Sequence, residues 1–146
     1  MKIEKIIFLD FDGVIITPRT EFLHFDPICM EHLKHIIDET NAFIVISSTW
    51  KIGTPFIELK AMFEPFGMFQ RVLGTTPNID GDFVRGREID TWLNSIHAKR
   101  FDIKNFIILD DDSDMEPHMN RLIQTNAQEG LTEDIAKNCI ELLNNP

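Results

Sequence analysis

An α/β fold built on a parallel sheet flanked by helices is predicted by three observations. Strand-length apolar runs alternate with helical patterns along the whole chain. The strand runs are continuous rather than alternating, as befits strands covered on both faces. Three of them, Lys5–Leu9, Ala42–Ile46 and Phe106–Leu109, stop abruptly at clusters of carboxylates or hydroxyls.

The elements follow in order. Lys5–Leu9 is the first strand. Residues 13–26 hold no period and contain Pro18, so a loop or small hairpin is expected there. Ile28–Thr40 is apolar at Ile28, Leu33, Ile36 and Ile37 and reads as a helix with Pro27 near its start. Ala42–Ile46 is the second strand and runs into Ser47-Ser48-Thr49-Trp50. Pro55–Phe66 has helical spacing at Phe56, Leu59, Met62 and Phe63 and stops near Pro65 and Gly67. Arg71–Leu73 is a short strand candidate, followed by a loop over Thr75–Gly86 with Pro77, Gly81 and Gly86. Glu88–Arg100 reads as a helix with Ile89, Trp92, Leu93 and Ile96 on one face. Phe106–Leu109 is a strand ending in Asp110-Asp111-Asp112, and Arg121–Thr125 is a fifth strand candidate. Leu131–Asn145 is a last helix, with Thr132 as N-cap and Glu133 and Asp134 favourable in its first turn. There is no internal repeat or linker, so residues 1–146 are expected to form one domain.

Composition narrows the function classes. With 43% hydrophobic and 26% charged residues the chain reads as an ordinary globular domain. Its apolar runs are too short to span a membrane and its start carries no signal-peptide pattern. Cys29 and Cys139 lie far apart and fit no metal or redox spacing, so reduced thiols in a cytoplasmic protein are expected. The net charge of −10 argues against a free-standing nucleic-acid binder, which normally displays a basic surface.

The most informative segment is Ile6-Ile-Phe-Leu-Asp10-Phe-Asp12-Gly13. Residues two apart in extended backbone point the same way, so both carboxylates would project where the strand stops. Two such anions repel unless a cation or shared proton compensates, and the natural cation for oxygen-only ligands is Mg²⁺. Asp followed by Gly is also ordinary turn chemistry. The other strand ends decide between the two readings, because the crevice of an open parallel sheet lies beyond the carboxyl ends of its strands. Ser47/Ser48 and Asp110/Asp111 end two further apolar strands, so the three polar clusters converge there.

The order of an apolar run with Asp10-x-Asp12-Gly13, a second with Ser47, a basic residue, and a third with Asp110-Asp111 resembles the four motifs of haloacid dehalogenase (HAD) superfamily phosphatases. The resemblance spans nearly the whole chain. More narrowly, Ile46-Ser47-Ser48-Thr49-Trp50, Gly74-x-Thr76-Pro77, Arg85-Gly86-x-Glu88-Ile89 and Leu109-Asp110-Asp111 resemble the small HAD domains of RNA-repair proteins. The resemblance implies a three-layer, Rossmann-like HAD fold and a Mg²⁺-dependent phosphomonoester hydrolase. Asp10 would then be the nucleophile that becomes an aspartyl-phosphate, and Asp12 the acid and base. Ser47 would bind the phosphoryl oxygens, with Ser48 as the alternative. Arg85, with Arg87 as the alternative, would supply the cation that most of the family provides as Lys. Asp10, Asp12, Asp110 and Asp111 would hold Mg²⁺, Asp12 through its backbone carbonyl. Asp112 and Asp114 are alternatives, as ligands or as caps of the next helix. Gly13, Ser48, Lys51 and Arg19 are candidate substrate contacts.

The intervals between motifs hold no independent domain: Gly13–Ile46 suffices for a loop and one helix. No large cap is therefore expected. Capless members tend to act on macromolecules or to borrow a protein partner as cap. The substrate is then a phosphorylated small molecule or a nucleic-acid end. A silent domain that binds metal or a partner without turnover is the remaining alternative.

Overall fold

The computed structural model describes residues 2–79 and 84–145. Its strands are β1 (Lys5–Leu9), β2 (Phe43–Ile46), β3 (Val72–Thr75), β4 (Asn105–Asp110) and β5 (Leu122–Gln124). Its helices are α1 (Pro27–Thr40), α2 (Trp50–Gly53), α3 (Phe56–Ala61), α4 (Arg85–Leu93), α5 (Ile96–Lys99) and α6 (Glu133–Asn144). The strands form one parallel sheet in the order β3-β2-β1-β4-β5.

Strand β1 is central and buried on both faces, and the alternation of side chains divides the core between them. Ile7 and Leu9 face a cluster with Leu33, Ile36, Cys139 and Leu143 from α1 and α6. Ile6 and Phe8 face a second cluster with Ile89, Trp92 and Ala98 from α4 and α5. Helix on sheet on helix is the three-layer arrangement the continuous apolar strands call for. The chain winds outward from β1 through β2 to β3, then returns to β4 on the other side of β1. The winding reverses between β1 and β4, which is where a crevice opens at the carboxyl edge of such a sheet.

Local chemistry explains the helix ends. Asp26 caps α1 by accepting from the Ile28 N–H at 2.9 Å, and Pro27 occupies the first turn, where its missing N–H costs nothing. Thr132 caps α6 through the Ile135 N–H.

Several boundaries differ from the sequence expectation. The helix expected over Pro55–Phe66 is α3 followed by a 3₁₀ turn at Glu64–Phe66, because Pro65 cannot donate to an α-helical ladder. The helix expected over Glu88–Arg100 begins at Arg85 and breaks at Asn94, where Ser95 caps α5 through the Ala98 N–H. Strand β3 runs on to Thr75 and α4 takes in Gly86, so the expected Thr75–Gly86 loop is shorter; its Gly81 lies outside the described residues. The short helix α2 carries no apolar period and was not expected.

Candidate active site

The carboxyl ends of β1, β2 and β4 meet in register. Leu9 pairs with Ile46 on one side and Leu109 on the other, so Asp10, Ser47 and Asp110 are the next residues of three adjacent strands. The Asp10 N–H continues the ladder to the Leu109 carbonyl at 3.0 Å, and the Ser47 N–H to the Leu9 carbonyl at 2.8 Å.

Asp10 is 6% exposed and its Oδ1 accepts the Phe11 N–H at 2.8 Å. Arg85 reaches in from the first turn of α4, and its Nη1 lies 3.2 Å from Asp10 Oδ2 and 2.8 Å from Asp110 Oδ2. One guanidinium nitrogen thus serves both carboxylates. Asp110 Oδ1 accepts the Asp112 N–H at 2.9 Å. Burial, then the charge of Asp110, pushes the Asp10 carboxyl up to about 8, against the pull of Arg85. Burial likewise raises Asp110 to about 6. The same two anions hold the Arg85 guanidinium firmly protonated despite its own burial.

Charge is therefore short at this point. Acceptor oxygens of Asp10, Asp110 and Asp111 lie within 4.8 Å of one another, with one arginine between the first two. An all-oxygen donor set deficient in positive charge fits a small divalent cation such as Mg²⁺. Gly13 helps set the third carboxylate: it holds φ +81°, and a β-carbon there would overlap the Asp111 carboxyl group. The carboxylate of Asp12 is not part of this trio.

Beyond Asp10 the chain turns tightly, the N–H groups of Val14, Ile15 and Ile16 all donating to the Phe11 carbonyl. Asp12 leaves this turn half-buried, and the Trp50 indole donates from Nε1 to its Oδ2 at 3.1 Å. The indole ring is packed against Phe11, which in turn contacts Phe25 and Phe63.

The two serines have different surroundings. Ser48 Oγ accepts the Trp50 N–H at 3.2 Å and so starts the turn into α2. Ser47 Oγ is buried without a hydrogen-bond partner among the described residues, at the strand position beside Asp10. A buried hydroxyl left unpaired at a strand end is suited to an incoming oxygen.

The remaining candidates sit elsewhere. Lys51 has a side chain only 6% exposed and commits its ammonium to Thr76 Oγ1 at 2.7 Å, Glu88 Oε1 at 2.9 Å and the Pro77 carbonyl at 3.3 Å. It ties the loops after β2 and β3 to α4, and its three donors are taken. Arg19 pairs with Asp26 at 2.6 Å and donates to the Glu129 carbonyl at 2.7 Å, which braces the loop before α1. Each of these two cations, expected as a substrate contact, is paired with a carboxylate inside its own chain. Arg87 is exposed on another face of α4, two residues from Arg85. Asp112 accepts the Ser113 N–H in a local turn. Asp114 caps α4, its Oδ2 accepting the Arg85 N–H at 3.2 Å and its carbonyl accepting the Gly86 N–H at 2.9 Å. Its other oxygen, Oδ1, is buried and unpaired among the described residues.

Three features escaped sequence reading: the Trp50–Asp12 bond, the Lys51–Glu88–Thr76 tie, and the seat of α4 on the loop after β4. At Gly86 a β-carbon would overlap the backbone of Met115 and Glu116, so glycine lets α4 sit directly on that loop. Only the Arg85-Gly86-x-Glu88 pattern hinted at any of this.

A parallel sheet with acidic strand ends at its winding reversal, a cation from a flanking helix and a hydroxyl on the neighbouring strand form the arrangement of a HAD-like domain. The chain belongs to the family described as the HAD domain in Swiss Army Knife RNA repair proteins, which matches residues 6–136. Comparison with curated proteins and with solved structures gives no match. No helix of the described residues is long and apolar enough to cross a membrane.

Proposed function

We propose that this chain, read as one domain, is a Mg²⁺-dependent phosphomonoesterase that acts through an aspartyl-phosphate at Asp10. The observation that carries the reading is the placement of Asp10 between the Ser47 hydroxyl and the Arg85–Asp110 pair. A carboxylate oxygen of Asp10 attacks phosphorus, and the bond to the ester oxygen breaks. Asp12 gives its proton to that leaving oxygen. Water then yields a proton to Asp12 while its oxygen attacks the aspartyl-phosphate, releasing phosphate and restoring Asp10. Ser47 Oγ and Arg85 hold the phosphoryl oxygens, and Trp50 aims the Asp12 carboxyl. Asp10, Asp110, Asp111 and the Asp12 carbonyl would hold Mg²⁺, which would supply charge that keeps Asp10 ionised and offsets the phosphoryl group.

The family description favours a phosphorylated RNA end as substrate, and the absence of a folded insertion in Gly13–Ile46 suits a polymeric chain or a covering protein partner. Buried free thiols at Cys29 and Cys139 suit a reducing compartment such as the cytoplasm. The test compares phosphorylated oligoribonucleotides with p-nitrophenyl phosphate, with and without Mg²⁺, for the wild type and Asp10→Asn. Metal-dependent release of phosphate that disappears in Asp10→Asn supports the reading. A wild type inert on every phosphoester, or a fully active Asp10→Asn, refutes it.

A further inference from the structure

A cavity of about 490 Å³ lies between the edge strand β3 and helices α4 and α5. Its walls include Phe56, Leu73, Gly74, Thr76, Trp92 and Phe101. That volume falls within the range of small-molecule sites, and a mainly apolar lining with a few convergent polar groups is their usual chemistry. The larger hollow along α1 and α6 lies on the opposite face of the sheet and is lined mostly by charged residues and histidines.

Position ties the cavity to the strand-end site. Thr75 pairs with Ile46, which pairs with Leu9, so Thr76 lies beside Ser47 as Ser47 lies beside Asp10. Thr76 is therefore about 10 Å from Asp10, two strand spacings along the same edge. A group attached to a phosphate at Asp10 has the cavity within about one nucleotide's reach.

Gly74 is the second observation. It sits inside strand β3 just after the irregularity in its pairing with β2, where a bulge accounts for a strand glycine and leaves its side of the strand open toward the cavity. A β-carbon at Gly74 would meet nothing within 4 Å, so no neighbour in the fold requires glycine there. Phe56 is 37% exposed at the cavity rim, and Arg100 stands exposed over the Phe101 ring. Flat apolar walls with a few polar edges match a nucleobase. Neither Lys99 nor Arg100, beside the cavity, forms an ion pair among the described residues. A local basic stretch on an acidic protein is where the phosphate of a neighbouring nucleotide would be welcome.

We infer that this cavity binds a base of a phosphorylated nucleotide chain whose terminal phosphate lies at Asp10. The inference rests on the phosphomonoesterase reading for the position of the phosphate, and on the cavity alone for the base.

Two measurements test it. The first compares kcat/KM for a 3′- or 5′-phosphorylated dinucleotide with that for glycerol phosphate, in wild type and in Gly74→Leu, whose β-carbon meets no neighbour and whose side chain is meant to fill the cavity. Wild type favours the dinucleotide by roughly tenfold or more, the size of one base–aromatic contact. Gly74→Leu removes most of that ratio. The second titrates each of the four ribonucleosides, without phosphate, while amide and indole NMR signals are followed. Shifts at Gly74, Thr76 and the Trp92 indole that vanish in Gly74→Leu support the site. If Gly74→Leu fails to fold, Phe56→Ala replaces it in both arms, since Phe56 lies at the rim. A protein inert on every phosphate ester refutes the phosphatase reading, and nucleoside shifts then decide the cavity by themselves. No shifts with any nucleoside, or an unchanged dinucleotide preference in the filled cavity, overturns the inference.

Discussion

The indole of Trp50 donates a hydrogen bond to the carboxylate of Asp12 at 3.1 Å, across the gap between the loops that follow β1 and β2. This bond fixes the direction of a carboxylate that Arg85 does not hold. Trp50→Phe keeps an aromatic ring against Phe11 and deletes the N–H together with part of the ring. If Asp12 delivers the proton to the leaving oxygen, the loss depends on how much the leaving group needs it. Esters of ribose hydroxyls should slow about tenfold or more, and p-nitrophenyl phosphate, whose leaving group is stable as an anion, far less. An equal loss on both substrates would assign Trp50 a packing role alone.

The buried acidic pair predicts how stability depends on pH and on cation. The folded-state values of Asp10, about 8, and Asp110, about 6, lie above the unfolded value near 4. Between those limits the unfolded chain releases protons that the folded chain retains, so metal-free protein loses stability as pH rises from about 4 to 8. Mg²⁺ held among these carboxylates would stabilise the ionised pair and oppose that loss. Melting curves in EDTA and in Mg²⁺ should nearly coincide at pH 5 and separate by pH 8, with the Mg²⁺ form the higher. Curves that stay superimposed would show that no cation sits among these carboxylates.

Gly13→Ala should strike the third carboxylate. The new methyl group would occupy the space of the Asp111 carboxyl and would sit on backbone at φ +81°, a conformation that costs about 1–2 kcal/mol for an L-residue. The expected result is a folded protein whose activity needs roughly tenfold more Mg²⁺, read from a metal titration. Unchanged metal dependence would remove Asp111 from the site.

Asp26→Ala tests the loop before α1. Asp26 is 1% exposed and accepts from Thr17 Oγ1 at 2.6 Å, from Arg19 and from the Ile28 N–H. Burial alone would raise its carboxyl, but those donors win and hold it below the ordinary value. Its stabilisation is therefore present above about pH 4 and is lost as pH falls below that. Removing a buried N-cap and its partners should cost about 2–3 kcal/mol at pH 7, measured by urea unfolding. The difference from wild type should shrink toward pH 3.

How far the sequence revealed this structure follows from the range of the interactions involved. The apolar runs at Lys5–Leu9 and Phe106–Leu109 announced buried parallel strands, and their ends located Asp10 and Asp110, because strand and polar cap are adjacent in the chain. Ser47 could not be separated from Ser48 by spacing, since the difference lies in which hydroxyl meets the Trp50 N–H. Lys51 looked available because it follows a strand end, yet its partner Glu88 is 37 residues away. Asp114 was legible as a cap, but which helix it caps depends on the packing of α4 against a loop 29 residues further along the chain. Boundaries shifted where a single residue, Pro65 or Ser95, overrode an otherwise continuous period.

Gly86 gives the site an evolutionary constraint of its own. The helix that carries Arg85 rests on the backbone of Met115 and Glu116 with no room for even a methyl group between them. Drift at residue 86 would lift the helix start and withdraw the guanidinium from both carboxylates, whatever residue stood at 85. Arginine and glycine therefore constitute a single heritable character, and a relative that changes the second should be found to have rebuilt the loop after β4 or to have lost the first.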